Sequence, residues 1–162
     1  MISLTFAMSG LRMTRIAAER VKLLEKTHLL LVTVKGRLEY YREPVDELID
    51  SLCRADGLGG LFFLEECRRL ECDGMPFCDA WKKSVLEGGL SPPFKKNDLE
   101  QLLSIGAAIG SANLDSQLVK LTLYEEILNE TIIRARTEAD KNGKVYTSLG
   151  VSAGIIAGLM IL

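Results

Sequence analysis

Histidine is almost missing from this sequence: His28 is the only one in 162 residues. A chain so short of imidazole has no second histidine to complete a zinc site, and no histidine downstream of Ser51 or of any later serine to serve as the base of a catalytic triad. Aromatic residues are few, at 6%, and neither sign of charge prevails, with 20 basic side chains against 22 acidic ones. The resulting net charge of -2 argues against a nucleic-acid partner held by a global positive field. The four cysteines (Cys53, Cys67, Cys72 and Cys78) include no C-x-x-C pair. Neither a metal site nor a disulfide framework is expected of them, and reduced thiols packed as small hydrophobes are the better expectation.

Catalytic signatures are equally thin. Gly150-Val151-Ser152-Ala153-Gly154 has the letters of a nucleophile elbow. An elbow needs a strand before the serine and an acid and a histidine after it, and nothing titratable follows here. Gly143-Lys144-Val145 lacks the first glycine and the final hydroxyl of a Walker A loop. The acid pairs Glu65-Glu66 and Glu125-Glu126 have no histidine in helical register to share a metal. The expectation is therefore no catalytic residue, no cofactor and no metal. Phe62, Phe63 and Trp81 are read as core side chains rather than a ligand box.

What is abundant is aliphatic surface, placed unevenly. A hydrophobic fraction of 48% with 26% charged residues excludes disorder. From Val145 to Leu162 no residue is charged, and as a helix this run covers about 27 Å, just enough for a bilayer's hydrocarbon core. With apolar residues on every face it reads as a C-terminal transmembrane helix. Gly150, Gly154 and Gly158 recur every fourth residue on one side of it, a face that lets another membrane helix approach closely. Residues 1–11 are also apolar or neutral but cover only about 16 Å, so they are expected to form a partial membrane segment. Arg12 and Arg15 flank one apolar end and Lys141 and Lys144 the other, which puts the intervening domain in the cytoplasm.

Between the ends the signals are helical. Ala17, Leu24, Leu31 and Leu38 recur at sevens, predicting a first helix over about Gly10 to Tyr41. Pro44 suits a first helical position, and the second helix should end near Gly57. A third is expected from Leu61 to Cys72, stopped by Gly74, and a fourth from Pro76 to Gly88-Gly89. Asn97 followed by Glu100 resembles a capping box opening a fifth helix that ends at Gly110. Asn113 can cap a sixth, in which Leu114, Leu118, Leu121, Leu128, Ile132, Ala135 and Ala139 keep an a/d rhythm broken only by Glu125. Asn142-Gly143 offers a hinge before the apolar tail. The fold class expected is all-α: a bundle of about six helices, the long first and last antiparallel, the last continuing into the transmembrane helix. The divisions are residues 1–11, the cytoplasmic bundle 12–144 and the span 145–162.

The charges are sorted along the chain. Residues 1–35 hold six basic side chains, Arg20 among them, against two acids, whereas residues 36–79 hold eleven acids against five arginines. A solvated helix surface accounts for such a stretch; as a docking face, its contact candidates are Asp46, Glu47, Asp50, Glu65 and Glu66.

The order Ile105-Gly106, Gly110, Asn113 and Gln117, then a long helix, Lys144 and Leu149-Gly150, resembles the stage III sporulation protein AB family. Gly10 through Arg20 and Ala80-Trp81 add to the resemblance, which covers nearly the whole chain. The family has a full membrane span at its N-terminus where this chain has only residues 1–11. The resemblance implies a six-helix domain similar to the cytoplasmic domain of the type II secretion F protein, attached to the mother-cell membrane and facing the mother-cell cytoplasm. It implies a non-enzymatic role in the channel between mother cell and forespore. The implied partners are the secretion-type ATPase of the same operon (stage III sporulation protein AA), other stage III sporulation channel proteins and the membrane, and a homo-oligomer is allowed. The other reading of the residues alone is a tail-anchored cytoplasmic helical adaptor unrelated to sporulation.

Overall fold

Six helices succeed one another in the computed structural model: α1 (Ile2–Tyr41), α2 (Val45–Cys53), α3 (Phe62–Cys72), α4 (Phe77–Gly89), α5 (Lys96–Ile109) and α6 (Leu114–Ile161). The structure describes the backbone of residues 2–41, 44–89, 93–111 and 113–161, and the side chains of 13–141 apart from 42, 43, 46, 89–92 and 112. Among the described residues there is no strand. Each helix packs on the next in sequence, and α6 returns to pack on α1 in the most extensive contact of the molecule.

Helix α1 is amphipathic through its middle: Leu24, Thr27, Leu31, Val34 and Leu38, spaced alternately three and four apart, are all buried. Helix α6 answers with Gln117, Leu121, Leu128, Thr131, Ile132 and Ala135. Ion pairs fix the direction. Lys35 meets Glu125 at 2.6 Å, Arg136 meets Glu25 at 2.7 Å and Arg20 meets Glu138 at 3.3 Å. Rising numbers on α1 pair with falling numbers on α6, so the two helices are antiparallel, as expected. Glu125, the one break in the apolar rhythm of α6, lies where Lys35 reaches across.

Boundaries differ from the expected ones in ways that have local causes. Helix α1 already includes Ile2, because a run of apolar and neutral residues has no breaker before Gly10. Pro44 is the N-cap of α2 and not its first residue, and α2 stops at Cys53. The turn beyond it needs Gly57 at φ +87°, where a Cβ would also come within 2.9 Å of Leu29 Cδ2. At the start of α5 the acid that turns back is Asp98, whose Oδ2 accepts the Lys95 N–H at 2.8 Å; Asn97 and Glu100 are not the capping pair. Asn113 does cap α6, its Oδ1 accepting the Ser116 N–H at 3.0 Å. Asn142-Gly143 does not interrupt α6, which is one helix from Leu114 to Ile161.

The core lies between the α1–α6 pair and the shorter helices. At its centre the Trp81 ring packs edge-on against Phe63 with centroids 5.4 Å apart, and beside Phe77 at 5.7 Å. Phe63 and Trp81 are fully buried, but Phe62 is 38% exposed and corrects the expectation of a core position. Phe63 and Leu64 take the buried side of α3, and Phe62 lies at the rim of the core over Gly88 of α4, where a Cβ would run into its ring.

Candidate docking face

The glycines and amides of the Ile105–Gln117 motif act in packing. A Cβ at Gly106 would lie 2.1 Å from Trp81 Cδ1, and one at Gly110 would lie 2.4 Å from Cys78 Sγ. The bare backbone at Gly106 lets the indole approach α5 and donate from Nε1 to the Leu102 carbonyl at 2.8 Å. Gln117 is buried and its Nε2 donates to the carbonyls of Ile109, at 2.6 Å, and Ser111. The Ile109 carbonyl ends α5 and that of Ser111 lies in the turn just beyond it, so neither has a helical partner of its own. The motif therefore locks α4, α5 and α6 together and leaves no open site.

A second polar cluster joins α1, α5 and α6. Arg20 is 9% exposed and Asp98 2%, and they form a bidentate pair with Nε–Oδ2 of 2.8 Å and Nη2–Oδ1 of 2.9 Å. Glu138 Oε2 accepts from Arg20 Nη1 at 3.3 Å and from Lys95 Nζ at 2.7 Å. The hydrogen bond and charge of Lys95, with Arg20 beyond, hold the Glu138 carboxyl below its usual range, and the bond to Asp98 raises Arg20 further. This clasp was missed because Arg20 counts in sequence as one of a basic run. Its signal was position: Arg20 stands four residues before Leu24, on the buried stripe of α1.

The acidic stretch does not fold into one face. On α2, Glu47 is exposed, while Asp50 accepts from Arg54 and, at 3.4 Å, from Arg68 of α3. Glu65, exposed on α3, lies with Asp50, Arg68 and Glu71 around Cys53. Glu66 turns toward α4, and the hydrogen bond from Arg69 of α3 at 2.6 Å, followed by the charge of Lys83 on α4, lowers its carboxyl. The structure thus gathers Asp50 and Glu65 at the α2–α3 surface, and separates Glu66 from them. The Asp46 side chain lies outside the described residues.

Of the cysteines, all free, only Cys67 is a core residue, with a thiol pushed up to about 12 by burial and then by Glu71. Burial likewise raises half-buried Cys53, whereas Cys72 and Cys78 are exposed, against the expectation that all four pack inside. Among the described residues no three His, Cys, Asp and Glu side chains are placed to hold a metal. A shallow depression of about 260 Å³ lies over α4, lined by Asp79, Lys82, Lys83, Leu86 and Glu87. Its mixed charges come from a single helix and converge on nothing. Among the described residues no helix is long and apolar enough to cross a membrane. The expected segments 1–11 and 145–162, with Gly150, Gly154, Gly158 and Ser152, lie outside the residues whose surroundings are described.

Compared with known proteins, the chain matches the family model of stage III sporulation protein AB over residues 1–162. It is similar in fold to a solved structure described as stage III sporulation protein AB, with a TM-score of 0.58 and 17% identity. That alignment covers 75% of this chain and 97% of the solved one. No curated protein matches.

Proposed function

The chain belongs to the stage III sporulation protein AB family, and from that premise we propose a non-enzymatic membrane platform in the channel between mother cell and forespore, docking a secretion-type ATPase. Family membership gives the chain a role in sporulation and turns against an adaptor unrelated to it. The observation that carries the platform reading is the antiparallel pairing of α1 and α6. Arg20 beside Glu138 brings the approaches to both apolar segments to one end of the bundle, so that residues 1–11 and 145–162 can serve a single membrane. Charges on the opposite helices remain open to the mother-cell cytoplasm for a soluble partner such as stage III sporulation protein AA.

Two experiments test this reading. Ending the chain at Lys144 is expected to release a folded helical domain from the membrane fraction, because 145–162 is the one uncharged run long enough to span. A truncated protein that stays in the membrane pellet would transfer the anchor to the N-terminal segment. For docking, Glu65 is the acid of the stretch to test, since Arg69 already neutralises Glu66 and Arg54 and Arg68 already face Asp50. Exposed charges mainly steer encounter. Glu65→Lys is therefore expected to slow association with the purified ATPase several-fold and to flatten its salt dependence, with Glu66→Lys doing less. Unchanged association kinetics in both variants would remove α2 and α3 as the docking face.

A further inference from the structure

The outward side of α6 carries a second heptad seam, offset from the buried one. Val119, Leu123, Glu126, Glu130, Ile133 and Thr137 follow at intervals of four, three, four, three and four, and all are exposed. Val119 is 71% exposed, Leu123 53% and Ile133 58%. Single apolar side chains in water are ordinary. Three large aliphatic ones on one seam, at the repeat by which a facing helix inserts its own side chains, are the layout of a helix–helix contact. Two of the three are β-branched, which lowers helix propensity without a gain from burial in this chain alone.

The charges on the seam select what covers it. Glu126 and Glu130 sit between Leu123 and Ile133. Among the described residues Glu126 has no ion pair, and Glu130 has only an exposed 3.6 Å contact with Arg134. A second copy aligned on the same apolar positions, in either direction, sets acid against acid, and an anionic lipid surface repels the same two groups. A helix with apolar ends and lysine or arginine at its middle positions satisfies both parts. We propose that this seam of α6 docks an amphipathic helix of a partner protein, apolar at the two ends of the contact and basic between them. From Val119 to Ile133 the seam is about 21 Å long, so the contact takes roughly four helical turns. It is separate from the α2–α3 acids and independent of the ATPase reading.

The test uses the full-length chain in nanodiscs of zwitterionic lipid, with empty discs as the reference. The probe is a fluorescent helical peptide of about 18 residues with leucine at its outer heptad positions and lysine at two central ones. Binding above that of empty discs is expected, weakened about tenfold or more in E126K/E130K and in V119S/L123S. A second peptide with glutamate at the centre is expected to bind E126K/E130K in preference to the parent chain. Absence of binding, equal binding to parent and variants, or no rescue by the charge-swapped peptide overturns the proposal. Self-association of the parent chain that V119S/L123S abolishes also overturns it, by assigning the seam to contacts between copies.

Discussion

Replacing Arg20 by methionine is expected to cost about 3–5 kcal/mol of folding stability, measured by chemical denaturation in mild detergent. Asp98 is buried in the first turn of α5, and the Arg20 fork supplies two of the donors it has, the Lys95 N–H being the third. Without the guanidinium a carboxylate remains out of water with one hydrogen bond. The penalty comes from that stranded charge more than from the attraction lost, so Arg20→Met with Asp98→Leu should recover most of it. A loss below about 1 kcal/mol in the single variant would show that the pair is solvated in solution. Acid acts on the same clasp through Glu138. Its carboxyl is lowered from an ordinary 4.5, so its contribution is present above that value and is lost as pH falls through the lower folded value. Glu138→Gln should therefore lower the neutral plateau and flatten the acid limb, the two proteins converging in acid where the parent's carboxyl is protonated. The clasp joins α1, α5 and α6 at the end where α1 and α6 lead toward the two apolar segments. In a platform bound to a membrane it would fix the register of those approaches against the bundle.

The sequence was most legible where periodicity and caps act locally. The apolar repeat of α1, the a/d rhythm of α6 and the amide of Asn113 each report on neighbours within a few residues, and the helix count and the antiparallel long pair follow from them. Pairing across the chain was not legible. Arg20 and Asp98 are 78 residues apart, and no periodicity within either helix says that one charge is buried against the other. The acidic stretch misled for a related reason: a count along the chain ignores that Glu65 and Glu66 differ by about 100° around α3, which sends one toward α2 and the other toward α4. The Gly106–Gly110–Gln117 spacing was visible as a pattern before its cause was. That cause lies in α4, whose Trp81 and Cys78 occupy the space the two glycines leave.

The second large effect is expected at that contact. Trp81→Ala should cost about 3–5 kcal/mol, because the indole is fully buried, touches Phe63 and Phe77, and leaves a cavity that rigid helices cannot close. Phe63→Ala should lie in the same range, and half-exposed Phe62→Ala well below it. Gly106→Ala attacks the contact from the other side. Its new Cβ would sit 2.1 Å from the ring, and the indole cannot swing away without giving up the Leu102 carbonyl. Overpacking of this kind costs about 1–3 kcal/mol. The two substitutions should not add. With Trp81 gone, the methyl group at 106 enters the vacated space, and alanine is a better helix residue than glycine by about 1 kcal/mol. Gly106→Ala is thus destabilising in the parent chain and neutral or stabilising in the Trp81→Ala background. A double-mutant cycle reads that change of sign directly. An equal cost of Gly106→Ala in both backgrounds would mean that the glycine serves the backbone of α5 itself and not the approach of the indole.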